Sequence, residues 1–259
     1  MGVQTKYDTG LVLSGGFIKG FAHLGVVQSL LEHDICPEII SGVSAGALVG
    51  VFIADGTEPY RVLDFFSGLK FLNLTKPVLP KTGFFELREL KSFVRSHLSV
   101  QRLEELSIPT VVTATDLDNG RSAHFTKGSI AERVAASCSM PIMFTPEKIN
   151  GTNYVDGGVL MNLPVTPIRR ACRRVVAVNV SPMTASKYKL NLINIAERSY
   201  HFMSNSNTLA ESEKADVLIE PTNLSVYSNT DLEKAREIFL AGYNTANETL
   251  LEYKHYHLL

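Results

Sequence analysis

Short apolar runs alternate with helical patterns along most of this 259-residue chain, and this alternation restricts the fold more than any other feature. Residues 11–13, 39–40 and 108–114 are strand-like, whereas residues 21–31 and 45–54 place apolar side chains at helical spacing. Strands that alternate with helices are typical of a mostly parallel sheet covered by helices. The sequence therefore predicts an α/β fold with a mostly parallel central sheet.

Residues 59–98 interrupt this alternation with a helical pattern that is itself broken by prolines. The segment is rich in aromatic and aliphatic side chains, namely Phe65, Phe66, Leu69, Phe71, Leu72, Leu74, Phe84 and Phe85. We expect a helical insertion over the C-terminal edge of the sheet, where open α/β sheets place their binding sites. Because no linker sets it apart, we predict one domain over residues 1–259.

Composition excludes several classes of function. The net charge of −1 provides no field that would attract nucleic acid. The three cysteines, Cys36, Cys138 and Cys172, form no CxxC pair, which favours reduced thiols, a cytoplasmic setting, and neither a metal site nor another cofactor. No apolar stretch is long enough to span a bilayer, so we expect the protein to meet lipid only transiently, at a membrane surface.

One pentapeptide predicts a nucleophile. Gly42-Val43-Ser44-Ala45-Gly46 matches G-x-S-x-G and lies between a predicted strand and a predicted helix. A sharp strand-to-helix turn strains the serine and exposes its hydroxyl, and small neighbours let the backbones pass closely. The alternative is that Ser44 only caps the helix that follows.

A serine nucleophile needs a base, and the sequence offers Asp156. Asp156-Gly157-Gly158 follows a short strand, and a buried carboxylate whose pKa rises toward neutrality can accept the serine proton. None of the histidines after Ser44 follows a strand at a glycine-rich turn. A plain Asp-Gly turn and a triad that uses His201 are the two alternatives.

A glycine-rich loop after the first strand predicts an oxyanion hole. Its glycines let backbone N–H groups approach a ligand oxygen at the start of a helix. The loop fits neither the dinucleotide pattern G-x-G-x-x-G nor a phosphate loop, which needs Gly-Lys followed by Ser or Thr. The expected oxyanion and substrate-binding residues are Gly15, Gly16, Phe17, Ile18, Lys19 and Gly20.

Taken in order, these three motifs resemble those of the patatin-like phospholipases, and two flanking runs, at residues 114–121 and 135–146, resemble the bacterial branch. The resemblance covers about residues 10–179. It implies a three-layer α/β/α sandwich, a Ser44–Asp156 dyad without histidine, and hydrolysis of lipid or phospholipid acyl esters without a metal. The oxyanion donors carried over are the N–H groups around Gly15, Gly16 and Phe17.

Phe17 departs from the family pattern, which has a third glycine at this position. A phenylalanine keeps its N–H but is strained if the position needs a positive φ, and its ring could crowd the acyl site. Two functions other than lipid acyl hydrolysis are therefore alternatives for this protein. The same dyad could pass its acyl group to another acceptor or cleave a thioester, or Phe17 could have left a lipid-binding protein with weakened catalysis.

Overall fold

The computed structural model describes residues 5–66, 69, 71–79, 81–182, 190–227 and 232–255. Its strands are β1 (Tyr7–Leu13), β2 (Ile39–Val43), β3 (Lys76–Pro77), β4 (Phe85–Glu86), β5 (Thr110–Asp116), β6 (Arg121–Phe125), β7 (Glu147–Ile149), β8 (Thr152–Asp156), β9 (Cys172–Val178) and β10 (Val217–Ile219). Its helices are α1 (Phe21–Glu32), α2 (Ala45–Ala54), α3 (Pro59–Phe66), α4 (Phe71–Leu74), α5 (Arg88–His97), α6 (Ile130–Cys138), α7 (Thr166–Arg169), α8 (Leu192–Ser212) and α9 (Ala235–His255).

The main sheet confirms the predicted α/β class. Its strand order is β10-β9-β1-β2-β5-β8-β7, and β6 pairs with β5. The pairings from β10 through β5 are parallel, whereas β6, β8 and β7 pair antiparallel. The connections between parallel strands are long enough to carry helices, which is what the alternation in the sequence required.

Apolar side chains on the two faces of the sheet enter two separate cores. Leu11 and Leu13 pack with α1, α2 and α9, whereas Val12 packs with residues of the other face, among them Leu163 and Ile168. Successive side chains of a strand point to opposite faces, so a fully apolar strand needs cover on both. These layers above and below the sheet confirm the three-layer α/β/α sandwich.

Two Asn-Gly turns form hairpins at one end of the main sheet. The Asn119-Gly120 turn joins β5 to β6, with Gly120 at φ 63. The Asn150-Gly151 turn joins β7 to β8, with both residues at positive φ. Positive φ at both central residues is the geometry that makes Asn-Gly a hairpin signal.

The segment of residues 59–98 only partly follows its prediction. It contains helices α3, α4 and α5, but β3 and β4 form a two-stranded antiparallel ribbon where the sequence predicts only broken helix. Pro77 lies in this ribbon, because an isolated strand tolerates the missing N–H that a helix does not. The expectations for the side chains of Phe71 and Leu72 lie outside the described residues. No helix among the described residues is long and apolar enough to cross a bilayer.

Candidate active site

Ser44 lies at the sharp turn between β2 and α2. Its φ of 52 and ψ of −123 are strained for a residue with a side chain, as the motif predicts. Its N–H donates to Ser137 Oγ at 2.7 Å, and that hydroxyl donates to the carbonyl of Thr113 at 2.6 Å. The Ser44 side chain makes no capping hydrogen bond to α2, so its hydroxyl is available for another partner.

Close backbone contacts explain the small residues around Ser44. A Cβ on Gly46 would collide with the carbonyl oxygen of Leu13, and one on Gly42 would lie 2.6 Å from the carbonyl oxygen of Gly46. Val43 ends β2, and Ala45 begins α2 next to Gly20, where a Cβ would lie 2.7 Å from that of Ala45. The start of α2 is therefore pressed against the ends of β1 and β2.

Strand pairing brings Asp156 to Ser44. Strand β5 pairs with β2 up to Thr113 and with β8 from Ala114 onward, and β6 pairs with both stretches. Since β6 occupies one edge of β5, β2 and β8 must share the other edge and meet end to end. Ser44 follows the last residue of β2, and Asp156 is the last residue of β8.

The Asp156 carboxyl group is 2% exposed, and burial raises its pKa to about 6. The N–H of Gly158 donates to Oδ1 at 2.9 Å and opposes this rise. The nearby hydroxyls of Ser44 and Tyr200 also favour the charged form and lower the pKa. Asp156 thus caps a turn, as the simpler alternative predicts, and also holds its carboxylate against Ser44.

Glycines shape this turn as well. A Cβ on Gly157 would lie 2.5 Å from the carbonyl oxygen of Thr113, so the turn after β8 passes directly over β5. The backbone N–H of Asp156 donates to the carbonyl of Ser139 at 2.9 Å, and the Thr115 hydroxyl donates to the carbonyl of Asp156 at 3.0 Å. The carboxylate therefore has little freedom to leave the site.

The glycine loop lies beside Ser44. A Cβ on Gly15 would be 3.3 Å from that of Ser44. The N–H of Gly15 donates to the carbonyl of Asn162 at 3.3 Å, whereas no described residue accepts a hydrogen bond from the N–H of Gly16 or Phe17. Phe17 has φ 51, so this position does need the left-handed conformation that glycine adopts without strain.

Two cavities open at Ser44. The first has a volume of about 150 Å³ and an almost wholly apolar wall, which includes Phe17, Ile18, Leu24, Ala45, Leu48, Phe66, Leu74, Leu87, Leu90, Cys138 and Phe144. The second is polar and is lined by Gly15, Gly16, Phe17, Lys19, Asn162, Ser181, Glu197, Tyr200, His201 and Ser204. Among the described residues, only Phe17 and Ser44 line both.

Burial controls the charges in the polar cavity. It lowers the pKa of Lys19, raises that of Glu197 and lowers that of His201. The side-chain amide of Asn205 hydrogen bonds to Nδ1 of His201 at 2.5 Å. Ser44 and His201 both line this cavity, and the Ser44 hydroxyl is one of the groups that lower the pKa of Asp156.

Sequence reasoning missed Tyr200 and Asn162. Both lie beyond the third motif, where only a helical pattern or a loop is visible, and no signal in the sequence links them to Ser44. Two serines near the site make buried hydrogen bonds: Ser137 to the carbonyl of Thr113, and Ser139 to the carbonyl of Ala135. Among the described residues, no group of three His, Cys, Asp or Glu side chains is placed to hold a metal ion.

A family model for the patatin-like phospholipases matches residues 11–169 of the chain, which is more than half of it and includes all three motifs. The chain belongs to the patatin-like phospholipase family. The predicted resemblance is thereby confirmed, and the match ends just before β9, so α8 with Tyr200 lies outside the matched segment.

Two relatives are similar in sequence to the patatin-like part of this chain. An uncharacterized NTE family protein of Mycobacterium bovis is 33% identical over 164 residues, which are 61% of this chain and 44% of that protein. Lysophospholipase NTE1 of Saccharomyces cerevisiae is 29% identical over 181 residues, 66% of this chain and 11% of the yeast protein. The patatin-like chain thus spans less than half the length of either relative.

One solved structure supports the fold. VipD from Legionella pneumophila superposes with a TM-score of 0.56 at 15% identity, over 95% of this chain and 67% of the VipD chain. At this level of identity the likeness concerns the patatin-like architecture alone.

Proposed function

We propose that this protein hydrolyses acyl esters of lipids with Ser44 as nucleophile and Asp156 as its only side-chain base. The observation that carries the proposal is the meeting of three features at one residue. Ser44 lies beside the buried Asp156 carboxylate and next to the glycine loop, in which no described residue accepts the N–H of Gly16 or Phe17, and it lines an apolar cavity. Membership of the patatin-like family and the lysophospholipase names of relatives support the same chemistry.

Asp156 takes the Ser44 proton as the hydroxyl oxygen attacks the ester carbonyl. The N–H groups of Gly16 and Phe17 stabilise the oxyanion that forms. When the intermediate collapses, the alcohol leaves with the proton from Asp156, and the acyl group stays on Ser44. A water molecule then attacks this acyl-enzyme and gives a proton to Asp156. Asp156 passes the proton to the Ser44 oxygen as its bond to the acyl carbon breaks, and the fatty acid leaves.

The two cavities divide the substrate between them. The acyl chain lies in the apolar cavity, because burying methylene groups there removes them from water. The alcohol part of the ester lies in the polar cavity with Lys19, Glu197 and His201. Acyl transfer differs from hydrolysis only in the acceptor that attacks the acyl-enzyme, and no contact among the described residues of the site favours one over the other.

Lipid substrates are expected to enter from a membrane or micelle surface. Leu79 and Ile142 are 81% and 48% exposed, and the N–H of Phe84 donates to the carbonyl of Ile142. Phe144 and Leu74, which flank these loops, line the acyl cavity. We therefore propose that this rim, defined as Leu79 and Ile142, touches the lipid surface that supplies the substrate.

A fluorophosphonate probe tests the proposed chemistry, because it reacts only with an activated serine. Mass spectrometry should locate the adduct on Ser44, and Asp156→Asn should lose labelling while His201→Ala keeps it. Labelling that survives Asp156→Asn but disappears in His201→Ala would replace the dyad by a triad. Labelling of Phe17→Gly without labelling of the natural chain would mean that Phe17 blocks the oxyanion loop, which would favour the lipid-binding alternative.

A further inference from the structure

A tyrosine that none of the three motifs contains lies at the turn after Asp156. Helix α8 brings the hydroxyl of Tyr200, which is 9% exposed, next to Gly158, whose N–H donates to the Asp156 carboxylate. The hydroxyl occupies the space where a side chain at position 158 would stand, since a Cβ on Gly158 would collide with it. The glycine at 158 therefore makes room for the phenol beside the carboxylate.

Helix α8 is fastened to the turn that carries Asp156. The side-chain amide of Asn207 donates to the carbonyls of Gly158 at 3.0 Å and Val159 at 3.3 Å, and its Oδ1 accepts the N–H of Asn162 at 2.7 Å. Asn207 follows Tyr200 by two helical turns and lies on the same face of α8. The hydroxyl is thus held against Asp156 by contacts on the same turn.

We propose that Tyr200 is a positioning residue whose hydroxyl donates a hydrogen bond to the Asp156 carboxylate and orients it toward Ser44. Hydrogen bonds to charged groups are about twice as strong as neutral ones, and such donors replace part of the hydration that a buried carboxylate loses. In a catalytic triad the third residue orients the base, and Tyr200 has this role for Asp156. This inference rests on the proposed function only in naming Asp156 as the base.

The Tyr200 hydroxyl is protonated at neutral pH, so toward the Asp156 carboxylate it can act only as a hydrogen-bond donor. Burial and the neighbouring Asp156 charge raise the pKa of its hydroxyl well above the usual value. Other titratable groups that face the site are Cys138 on α6, Lys19 in the glycine loop, and Glu197 and His201 on α8. Of the titratable groups described, Tyr200 is the one that lowers the pKa of Asp156, so loss of its hydroxyl should raise the pKa of that carboxyl group.

Tyr200→Phe removes one oxygen and keeps the packing of the ring. Tyr243→Phe is the matched control, because the Tyr243 hydroxyl also donates to a carboxylate, Glu32 Oε2 at 2.6 Å, but on α9 and away from the site. We expect Tyr200→Phe to lower kcat/KM roughly tenfold at pH 7 and to move the acid limb of the pH profile up by about one unit. Tyr243→Phe should change neither.

A second measurement makes the inference independent of turnover. Difference infrared spectroscopy against Asp156→Asn reports protonation of the Asp156 carboxyl group directly, and its midpoint should be higher in Tyr200→Phe than in the natural chain. An unchanged midpoint, or a loss of rate that is equal at every pH, would overturn the positioning role. Failure of Ser44 to react with the fluorophosphonate would instead overturn the proposed function and leave the infrared comparison intact.

Discussion

Asp156, the proposed base, should also lower the stability of the fold. Its pKa rises from an ordinary value of 3.8 to about 6 because burial disfavours the charged form. The native state therefore binds the proton more tightly than the unfolded chain, and stability falls as the pH rises from about 4 to about 6. Above that range the buried charge costs about 3 kcal/mol.

Asp156→Asn should therefore stabilise the protein while it abolishes activity. The asparagine oxygen still accepts the Gly158 N–H, but no charge is buried. We expect urea unfolding to give a gain of up to about 3 kcal/mol at pH 7 that disappears below about pH 4. A variant that is less stable than the natural chain at pH 7 would contradict the unfavourable burial of this carboxylate.

At the scale of elements, the site depends on how α2 begins. Gly46 and Gly50 both lie in α2, but a Cβ at 46 would meet backbone, whereas one at 50 would meet the Ile40 side chain at 3.0 Å. A side-chain methyl can move by a few tenths of an ångström, and a strand carbonyl cannot do so without disturbing the sheet. The two positions therefore form a matched pair within one helix.

Gly46→Ala should destabilise the protein by about 3 kcal/mol and slow fluorophosphonate labelling, because α2 must move off the end of β1. Gly50→Ala should stay within about 1 kcal/mol of the natural chain, since the helix propensity of alanine offsets the crowding of Ile40. Equal losses in the two variants would mean that the close approach at Gly46 is not what fixes the elbow. Urea unfolding at pH 7 measures the free energy of unfolding of both variants and of the natural chain.

At the scale of the whole molecule, the proposed lipid substrate has to reach the site from a lipid surface, and the rim of Leu79 and Ile142 is exposed beside the acyl cavity. Ile142 is a β-branched residue at φ 74, a strained conformation that keeps an apolar side chain in solvent. Single exposed apolar residues are common, but these two stand on loops that border the acyl cavity.

Leu79→Glu should lower turnover of vesicle-bound esters about tenfold and leave turnover of a soluble short-chain ester unchanged, because a charge replaces a leucine that enters the lipid. Leu251→Glu is the control. Leu251 is also exposed, at 63%, but it lies about 24 Å along α9 from Ala235, the first residue of that helix. Vesicle flotation measures binding directly, and equal loss in both variants would argue against a specific lipid-facing rim.

The sequence by itself determined the α/β class, the elbow at Ser44, the turn after Asp156 and the glycine loop. Each of these has a local cause, such as hydrophobic periodicity or a backbone that only small residues allow, and local causes are visible in a short stretch of sequence. The strain at Phe17 was predicted in the same way, from a side chain that replaces a glycine of the motif.

Only the tertiary structure decided how these pieces meet. The end-to-end arrangement of β2 and β8 along one edge of β5 joins Ser44 to Asp156, and the docking of α8 adds Tyr200. The ribbon of β3 and β4 was missed because its pairing partners lie across a loop and its prolines suggest only a break. Such contacts depend on which surfaces pack together, and no spacing within a motif encodes that choice.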